Sequence, residues 1–164
     1  MELIPTTILT GFLGAGKTTL LNRLLQENHG YRIAVIENEF GEENIDSELL
    51  VAGGAEQIIE MSNGCICCTV RGDLVEALAS LAQKREAGEL AFDRVVIETT
   101  GLADPGPVAQ TFFLDDGVAD HFMVDAIVTV IDAVHAMQQL DEHEPARSQV
   151  GFADRLLISK TDLV

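Results

Sequence analysis

The chain has 164 residues, 47% of them hydrophobic, which is enough to bury the core of one globular domain. Its 27 acidic residues against 10 lysines and arginines give a formal net charge of -17. A field of that sign repels phosphate backbones and anionic lipid surfaces and attracts cations. We therefore expect no nucleic-acid and no membrane partner, and we consider metal ions instead.

The first residues, MELIPTTILTG, carry no basic stretch ahead of an apolar one and no small-residue cleavage site, which predicts a cytoplasmic protein. The longest apolar region, residues 122–134, is interrupted by Asp125 and Asp132 and falls short of the roughly 20 apolar residues of a membrane helix. All three cysteines lie within residues 65–68. In a reducing compartment such a cluster indicates metal or redox chemistry before structural disulfides.

Strand and helix patterns alternate along the whole chain. A strand is predicted at residues 6–10, a helix at 17–28 and a strand at 31–37, followed by a long loop at 38–54. Next come a strand at 57–61, a helix at 70–85, a strand at 94–98, a helix at 108–114, a strand at 126–132, a helix at 145–152 and a strand at 155–159. This alternation predicts an α/β fold with a mainly parallel sheet and helices on both faces.

Residues 11–18, GFLGAGKT, match the pattern G-x-x-x-x-G-K-[ST] between a predicted strand and a predicted helix. The glycines allow backbone N–H groups to surround a phosphate, and the helix start adds its positive dipole end. Lys17 is expected to reach the β- and γ-phosphates of a nucleotide, and Thr18 to bind Mg²⁺. A glycine-rich turn that fits the pattern by chance is the alternative, and the strand, loop and helix context argues against it.

Residues 98–101, ETTG, follow an apolar strand. A phosphate loop needs an acid at the end of a neighbouring buried strand to hold Mg²⁺, directly or through water, and we assign Glu98 to that role. Gly101 would let the loop after it move onto or away from the γ-phosphate. A solvated acid at an ordinary strand end is the alternative, but ligands of α/β sheets bind at the carboxyl ends of strands. Asp132 ends another strand and is a weaker candidate for the same neighbourhood.

Residues 159–162, SKTD, resemble the N-K-x-D signature that reads guanine. A carboxylate at Asp162 can accept hydrogen bonds from guanine N1–H and its 2-amino group, whereas adenine offers neither donor. Lys160 would lay its methylene stem along the base. Ser159 replaces the usual asparagine, which keeps Asp162 but weakens contacts that stabilise the loop. GTP is the predicted nucleotide, and an ATP-dependent kinase or metallo-insertase is the alternative.

Cys65 and Cys67 would point the same way on an extended segment, and Cys68 can join them where the chain turns into the next helix. That helix is predicted to begin just after Cys68, where its dipole would favour thiolates. Three thiolates make a soft, incomplete site for zinc or a neighbouring transition ion, and Glu37 or Glu42 would supply a fourth ligand. Core packing of a cysteine and a redox switch remain alternatives, while strain disfavours a Cys67–Cys68 disulfide.

The segments GFLGAGKTT, ENEFGE, GCICC, ETTGLADPGP and SKTD together resemble the CobW family of metal-handling P-loop GTPases, in particular its YjiA-type members. The resemblance implies a P-loop NTPase fold, slow GTP hydrolysis, and binding of zinc or another transition metal such as cobalt for delivery to a client metalloprotein. It is compatible with a homodimer. It also implies that residues 1–164 are an N-terminal GTPase domain, truncated after the guanine signature and lacking the family's C-terminal domain.

On the matching positions, the resemblance assigns residues 11–19 to the phosphate loop and its helix, 37–42 to a nucleotide-responsive loop, and 98–101 to a second switch. The expected catalytic residues are Lys17, Glu37 and Glu98. The expected nucleotide-binding residues are Gly11, Gly14, Ala15, Gly16, Lys17, Thr18, Thr19, Thr100, Gly101, Lys160 and Asp162. The expected ligands are Cys65, Cys67, Cys68, Glu37 and Glu42 for a transition metal, and Thr18 and Glu98 for magnesium.

Combined, these assignments predict a metal site gated by the nucleotide. GTP would draw Glu37 and Glu42 toward the γ-phosphate, and hydrolysis would relax the site and release the metal. A GTP-binding metal or redox sensor with negligible turnover is the alternative.

Overall fold

The structure is a computed structural model that describes residues 2–38, 56–60, 63–70 and 73–164. The strands are β1 (Ile4–Gly11), β2 (Ile33–Asn38), β3 (Glu56–Glu60), β4 (Ile66–Val70), β5 (Arg94–Glu98), β6 (Phe122–Asp132) and β7 (Arg155–Ser159). The helices are α1 (Lys17–Gln26), α2 (Leu74–Glu86), α3 (Gly106–Leu114), α4 (Asp116–Ala119), α5 (Ala136–Glu142) and α6 (Glu144–Gly151), and a 3₁₀ turn spans Thr161–Leu163. Among the described helices, none has the length and apolar character needed to cross a membrane.

The described strands form one seven-stranded sheet in the order β3-β4-β2-β5-β1-β6-β7. All neighbouring strands are parallel except β3 and β4, which pair antiparallel at one side of the sheet. The prediction of a mainly parallel α/β sheet is confirmed. Because the carboxyl ends of parallel strands meet on one side, the ends of β1, β2, β5, β6 and β7 surround a common region.

Helices cover both faces of this sheet, as predicted. On one face α1 contributes Leu21 and Leu25 to a buried cluster with strand residues such as Val35 and Val96. On the other face α2, α3 and α4 bury side chains against the same strands. Because β2, β4 and β5 are covered on both faces, their residues read as nearly continuous apolar runs rather than as alternating ones.

The cysteine segment differs from the prediction, because residues 66–70 form strand β4 instead of a loop that turns into a helix. Ile66, Thr69 and Val70 are β-branched, and this residue type favours strands. Helix α2 begins only at Leu74, where the Asp73 side chain accepts a hydrogen bond from the Val75 N–H at 2.9 Å and caps the first turn.

Two helices were not predicted from the sequence. Helix α5 is seven residues long and buries none of them, and the three apolar residues Ala136, Met137 and Leu140 are too short a pattern to predict a helix. Helix α4 is a single turn that buries only Val118. The predicted loop at 38–54, including Glu42, falls almost entirely outside the described residues.

Two paired threonines provide a test of the core. Thr10 and Thr129 lie opposite each other on β1 and β6, and both are buried. The Thr129 hydroxyl donates to the Gln149 carbonyl at 2.7 Å, whereas the Thr10 hydroxyl has no hydrogen-bond partner among the described residues. We expect Thr129→Val to lower the free energy of unfolding by about 1 kcal/mol, because a buried hydrogen bond is lost.

For Thr10→Val we expect an unchanged or higher free energy of unfolding, because no protein hydrogen bond is removed and a buried polar group is replaced by a methyl. Urea denaturation followed by circular dichroism measures both variants. Equal destabilisation by the two substitutions would contradict this assignment.

Candidate functional site

The phosphate loop surrounds the Lys17 amine at the carboxyl end of β1. Gly14 and Gly16 have φ angles of 76° and 105°, in the region that favours glycine. Lys17 is buried, and its Nζ donates to the Gly11 carbonyl at 2.6 Å and to the Phe12 carbonyl at 3.4 Å. The loop and the first turn of α1 contain the expected phosphate-binding residues Gly11, Gly14, Ala15, Gly16, Lys17, Thr18 and Thr19.

Glu37 and Glu98 lie side by side next to this loop, because they are register partners at the ends of β2 and β5. Burial raises the pKa of the Glu98 carboxyl, the charge of Glu37 raises it further, and the charge of Lys17 opposes both effects. Burial lowers the pKa of the Lys17 amine, and Glu98 partly offsets that effect. Lys17, Glu37 and Glu98 therefore form one electrostatically coupled group that carries an excess of negative charge.

The Cys67 thiol belongs to the same group. Cys67 pairs with Val35 on β2, and Glu37 follows two residues later on the same face of the sheet. Burial raises the pKa of the Cys67 thiol, and the charges of Glu37 and then Glu98 raise it further. The predicted stabilisation of a thiolate by a helix dipole is wrong, because α2 begins at Leu74. A metal ion that binds Cys67 must displace its proton.

Cys68 points away from Cys67 because successive side chains of a strand alternate between the two faces of a sheet. It is buried in the cluster under α2, which also contains Ile36 and Leu78. This conformation therefore does not bring Cys68 next to Cys67 and Glu37, contrary to the prediction of three converging cysteines.

Cys65 lies on the Cys67 face but is buried where β4 begins. Its sulfur accepts from the Ile33 N–H and donates to the Tyr31 carbonyl, each at 3.5 Å. These bonds and its burial give it a packing role in this conformation. Glu42 lies outside the described residues, and within the described ranges no three acidic, histidine or cysteine side chains form a metal-binding group.

The predicted guanine segment follows β7 and contacts the phosphate loop. The Ser159 hydroxyl donates to the Ala15 carbonyl at 2.5 Å and lies 3.2 Å from the Ile131 carbonyl. The predicted weakening of loop contacts by serine is therefore offset by these bonds. Asp162 is exposed in the 3₁₀ turn beyond them, where its carboxylate is open to a ligand.

Asp132 is a site residue that the sequence ranked only as a weak candidate. It is buried at the end of β6, and its carboxylate accepts from the Lys160 amine at 2.8 Å. That amine also donates to the Gly14 carbonyl at 2.8 Å. The hydrogen bond from Lys160, followed by that from His135, holds the pKa of the Asp132 carboxyl well below its usual range. Asp132 thus positions Lys160, and the pairing of β6 with β7, which the sequence does not reveal, creates this contact.

The predicted second switch packs directly on the phosphate loop. A Cβ on Gly101 would lie 2.8 Å from the Leu13 backbone nitrogen and 2.6 Å from its Cδ2, so only glycine fits there. Thr100 precedes this contact. The carbonyls of Gly101 and Ala103 accept from the buried side-chain amide of Gln149 at 3.0 and 3.1 Å. Gln149 was not predicted as a site residue, because in the sequence it is only one polar residue within the helix predicted at 145–152.

Comparison with known proteins agrees with this geometry. Residues 5–164 match the family model of the CobW/HypB/UreG nucleotide-binding domain. The chain is 51% identical to the zinc chaperone YjiA of Escherichia coli (strain K12) over 163 residues, which cover 99% of this chain and 51% of that protein. The chain therefore spans about half the length of this relative.

Two solved structures extend the comparison. A crystal structure of Zn(II)-bound YjiA GTPase from E. coli has a TM-score of 0.84 and covers 99% of this chain and 51% of its own. A Zn(II)-bound YjiA triple mutant, in which one glutamate and two cysteines are replaced by alanine, has a TM-score of 0.85 at 49% identity, with the same coverage. The resemblance predicted from five short segments is confirmed, and the chain belongs to the CobW/HypB/UreG family of nucleotide-binding domains.

Proposed function

We propose that this chain binds and hydrolyses GTP and uses the nucleotide to control a zinc site that contains Cys67 and Glu37. The observation that carries the proposal is the strand register, which pairs Glu37 with Glu98 and pairs Cys67 with Val35, two residues before Glu37 on the same face of the sheet. The charges of Glu37 and Glu98 raise the pKa of the Cys67 thiol, and the charge of Lys17 opposes the rise in the pKa of Glu98. The charge of Glu98 thus acts both on the Cys67 thiol and on the Lys17 amine of the phosphate loop. The description of a close relative as a zinc chaperone, and of its structure as a GTPase, supports this proposal.

The residues at the phosphate loop fit a nucleotide bound with Mg²⁺. Lys17 is already buried and bonded inside the loop, and the pKa of Glu98 is raised by burial and by Glu37, so a cation beside Glu98 relieves an unfavourable charge. Thr18 and Glu98 would hold Mg²⁺, directly or through water. Bound Mg²⁺ neutralises charge on the β- and γ-phosphate oxygens during transfer.

We assign the remaining catalytic roles to Lys17 and Glu37. Lys17 would stabilise the charge that develops on the phosphate oxygens as the bond between the γ-phosphorus and the β,γ-bridging oxygen breaks. Glu37 would orient the water whose oxygen forms the new bond to the γ-phosphorus, with Thr100 and Gly101 on the other side of the phosphate. The products are GDP and inorganic phosphate.

Zinc is the proposed cargo, with the Cys67 thiolate and the Glu37 carboxylate as its first ligands. Cys68 reaches the same ion only if β4 rotates out of its pairing with Ile58 on β3. Glu42 is a further proposed ligand. In YjiA, the mutant that lacks one glutamate and two cysteines still holds Zn(II) in its crystal, so experiments must separate this site from other zinc sites.

Glu37 would link the two sites because it faces both. While Glu37 orients water at the γ-phosphate, its carboxylate is less available to zinc. After hydrolysis that carboxylate is released, so the affinity of the site for zinc changes. Each ligand therefore shifts the affinity for the other, as thermodynamic linkage requires. A client metalloprotein would receive the zinc, and the reducing cytoplasm is the proposed compartment because the site needs reduced thiols.

Zinc binding should depend on the nucleotide. We expect zinc affinities measured by isothermal titration with GDP and with a non-hydrolysable GTP analogue to differ by about tenfold, within the usual range of coupling free energies. Cys67→Ser should abolish the nucleotide-dependent part and leave other zinc sites unchanged. Cys65→Ala is the matched control and should keep the dependence. Equal zinc affinity of the wild type in the two nucleotide states would rule the coupling out.

Guanine selectivity should depend on Asp162. Asp162→Asn removes an acceptor for the base, so the preference for GTP over ATP should fall by about tenfold or more. Competition of each nucleotide against fluorescently labelled GDP measures this preference. Asp141→Asn makes the same charge change on an exposed residue of α5 and should preserve the preference. An unchanged preference in Asp162→Asn would remove this residue from base recognition.

Glu98 should reduce the stability of the nucleotide-free protein. The pKa of Glu98 is raised in the folded state. Between its unfolded pKa of about 4.3 and its folded pKa, the folded protein therefore holds a proton that the unfolded chain has released. The free energy of unfolding falls as pH rises through this range. Glu98→Gln should therefore raise the melting temperature at pH 7, with an advantage that shrinks as pH falls toward 4. The same variant should lower kcat by about a hundredfold.

Thermal unfolding across this pH range and phosphate-release assays test both expectations for Glu98. Glu89→Gln, on an exposed residue, is the control and should change neither quantity. A melting temperature for Glu98→Gln that stays below that of the wild type at pH 7 would disprove the charge argument.

A further inference from the structure

Gln149 on α6 is a buried polar side chain in contact with the second switch. It is 1% exposed, and its Nε2 lies 3.0 Å from the Gly101 carbonyl oxygen and 3.1 Å from that of Ala103. Both neighbours are acceptors, so the side-chain nitrogen must face them, and it donates one hydrogen to each. A single side chain thereby fixes two peptide groups of the loop that follows β5.

The position of Gln149 is itself fixed by a contact between α6 and β6. Its backbone carbonyl accepts from the Thr129 hydroxyl at 2.7 Å, which ties α6 to the buried strand β6. A second contact lies at Gly106, the first residue of α3, where an added Cβ would meet the ring of Phe152, the residue that follows α6, at 3.0 Å. These contacts join α6 and the residue that follows it to β6 and to the segment after β5, so α6 supports residues 101–106 from one side.

The loop held by Gln149 presses on the phosphate loop. A Cβ on Gly101 would lie 2.6 Å from Leu13 Cδ2 and 2.8 Å from the Leu13 backbone nitrogen. Gly101 thus lies directly against the phosphate loop, where we expect the γ-phosphate of GTP to bind. A segment that is already in place does not lose conformational entropy when the ligand binds.

We infer that Gln149 is a positioning residue for the γ-phosphate: its side-chain amide holds Gly101 against the phosphate loop and thereby favours GTP over GDP. The inference rests on the proposed function, because it takes GTP as the ligand. GDP has no group that reaches Gly101, so losing the amide should weaken binding of the triphosphate alone. Hydrolysis should slow as well, since a loop that samples other conformations is less often beside the γ-phosphate.

The test compares affinities for GDP and for a non-hydrolysable GTP analogue in Gln149→Met, which keeps the length of the side chain and removes both donors. The affinity for the analogue should fall by about tenfold, because binding must then order a segment that the wild type already holds in place, while the affinity for GDP stays within about twofold. Gln138→Met on the exposed surface of α5 is the matched control and should change neither affinity.

A second variant distinguishes positioning from packing. Gln149→Glu has no donor when ionised but regains one when protonated, so its deficit for the GTP analogue should shrink as pH falls from 8 to 5.5. Gln149→Met should show the same deficit throughout this range. A pure packing role would give no such difference between the two variants.

The outcomes separate this inference from the proposed function. If the wild type binds the analogue and Gln149→Met weakens the analogue and GDP equally, Gln149 only packs the core and the inference is wrong, while the proposed function stands. If the wild type itself fails to bind the analogue, the proposed function is wrong and the inference falls with it.

Discussion

The site depends on the direct pairing of Glu37 and Glu98 across β2 and β5. The register of two parallel strands forces these carboxylates together, and only Lys17 among the described neighbours opposes their repulsion of each other. Partly buried charges of the same sign raise the free energy of the folded state unless a cation joins them. A positive ion at the ends of these strands would therefore be bound favourably, and the nearby thiol and phosphate loop determine which ions can bind there.

In the proposed function, this arrangement would make magnesium and zinc compete for overlapping carboxylates. Magnesium prefers oxygen ligands, and zinc prefers a set that includes sulfur. Glu98 lies between Lys17 and Glu37, and Glu37 lies between Glu98 and Cys67, so a hard cation and a softer one can be accommodated at the two ends of one short row. A shift of charge at either end is felt at the other without any long-range conformational path.

The sequence predicted those parts of the site that are continuous along the chain. The phosphate loop, Glu98 and the guanine segment each follow a strong strand pattern, and their chemistry can be read from adjacent residues. Strand β4 was not predicted, because the cysteine spacing of residues 65–68 is also typical of a metal-binding loop, and the β-branched residues Ile66, Thr69 and Val70 favour the strand only weakly. The opposite orientations of Cys67 and Cys68 follow at once from that strand.

Contacts between distant segments could not be predicted in this way. The bond between Asp132 and Lys160 depends on β6 and β7 being neighbours, and the bonds from Gln149 depend on α6 packing beneath the loop after β5. Neither fact has a local pattern, because side chains that meet only through the order of strands leave no spacing in the sequence. The burial of Gln149 is the kind of observation that only a structure supplies.

Strand β3, the outermost strand next to β4, gives the cysteine motif a particular freedom. It is the single antiparallel strand of the described sheet and pairs on one side only. Separating it from β4 costs one ladder of hydrogen bonds and leaves the central strands, with their nucleotide-binding ends, intact. Access to the proposed zinc ligands would therefore require only local opening of this sheet edge and not unfolding of the phosphate loop.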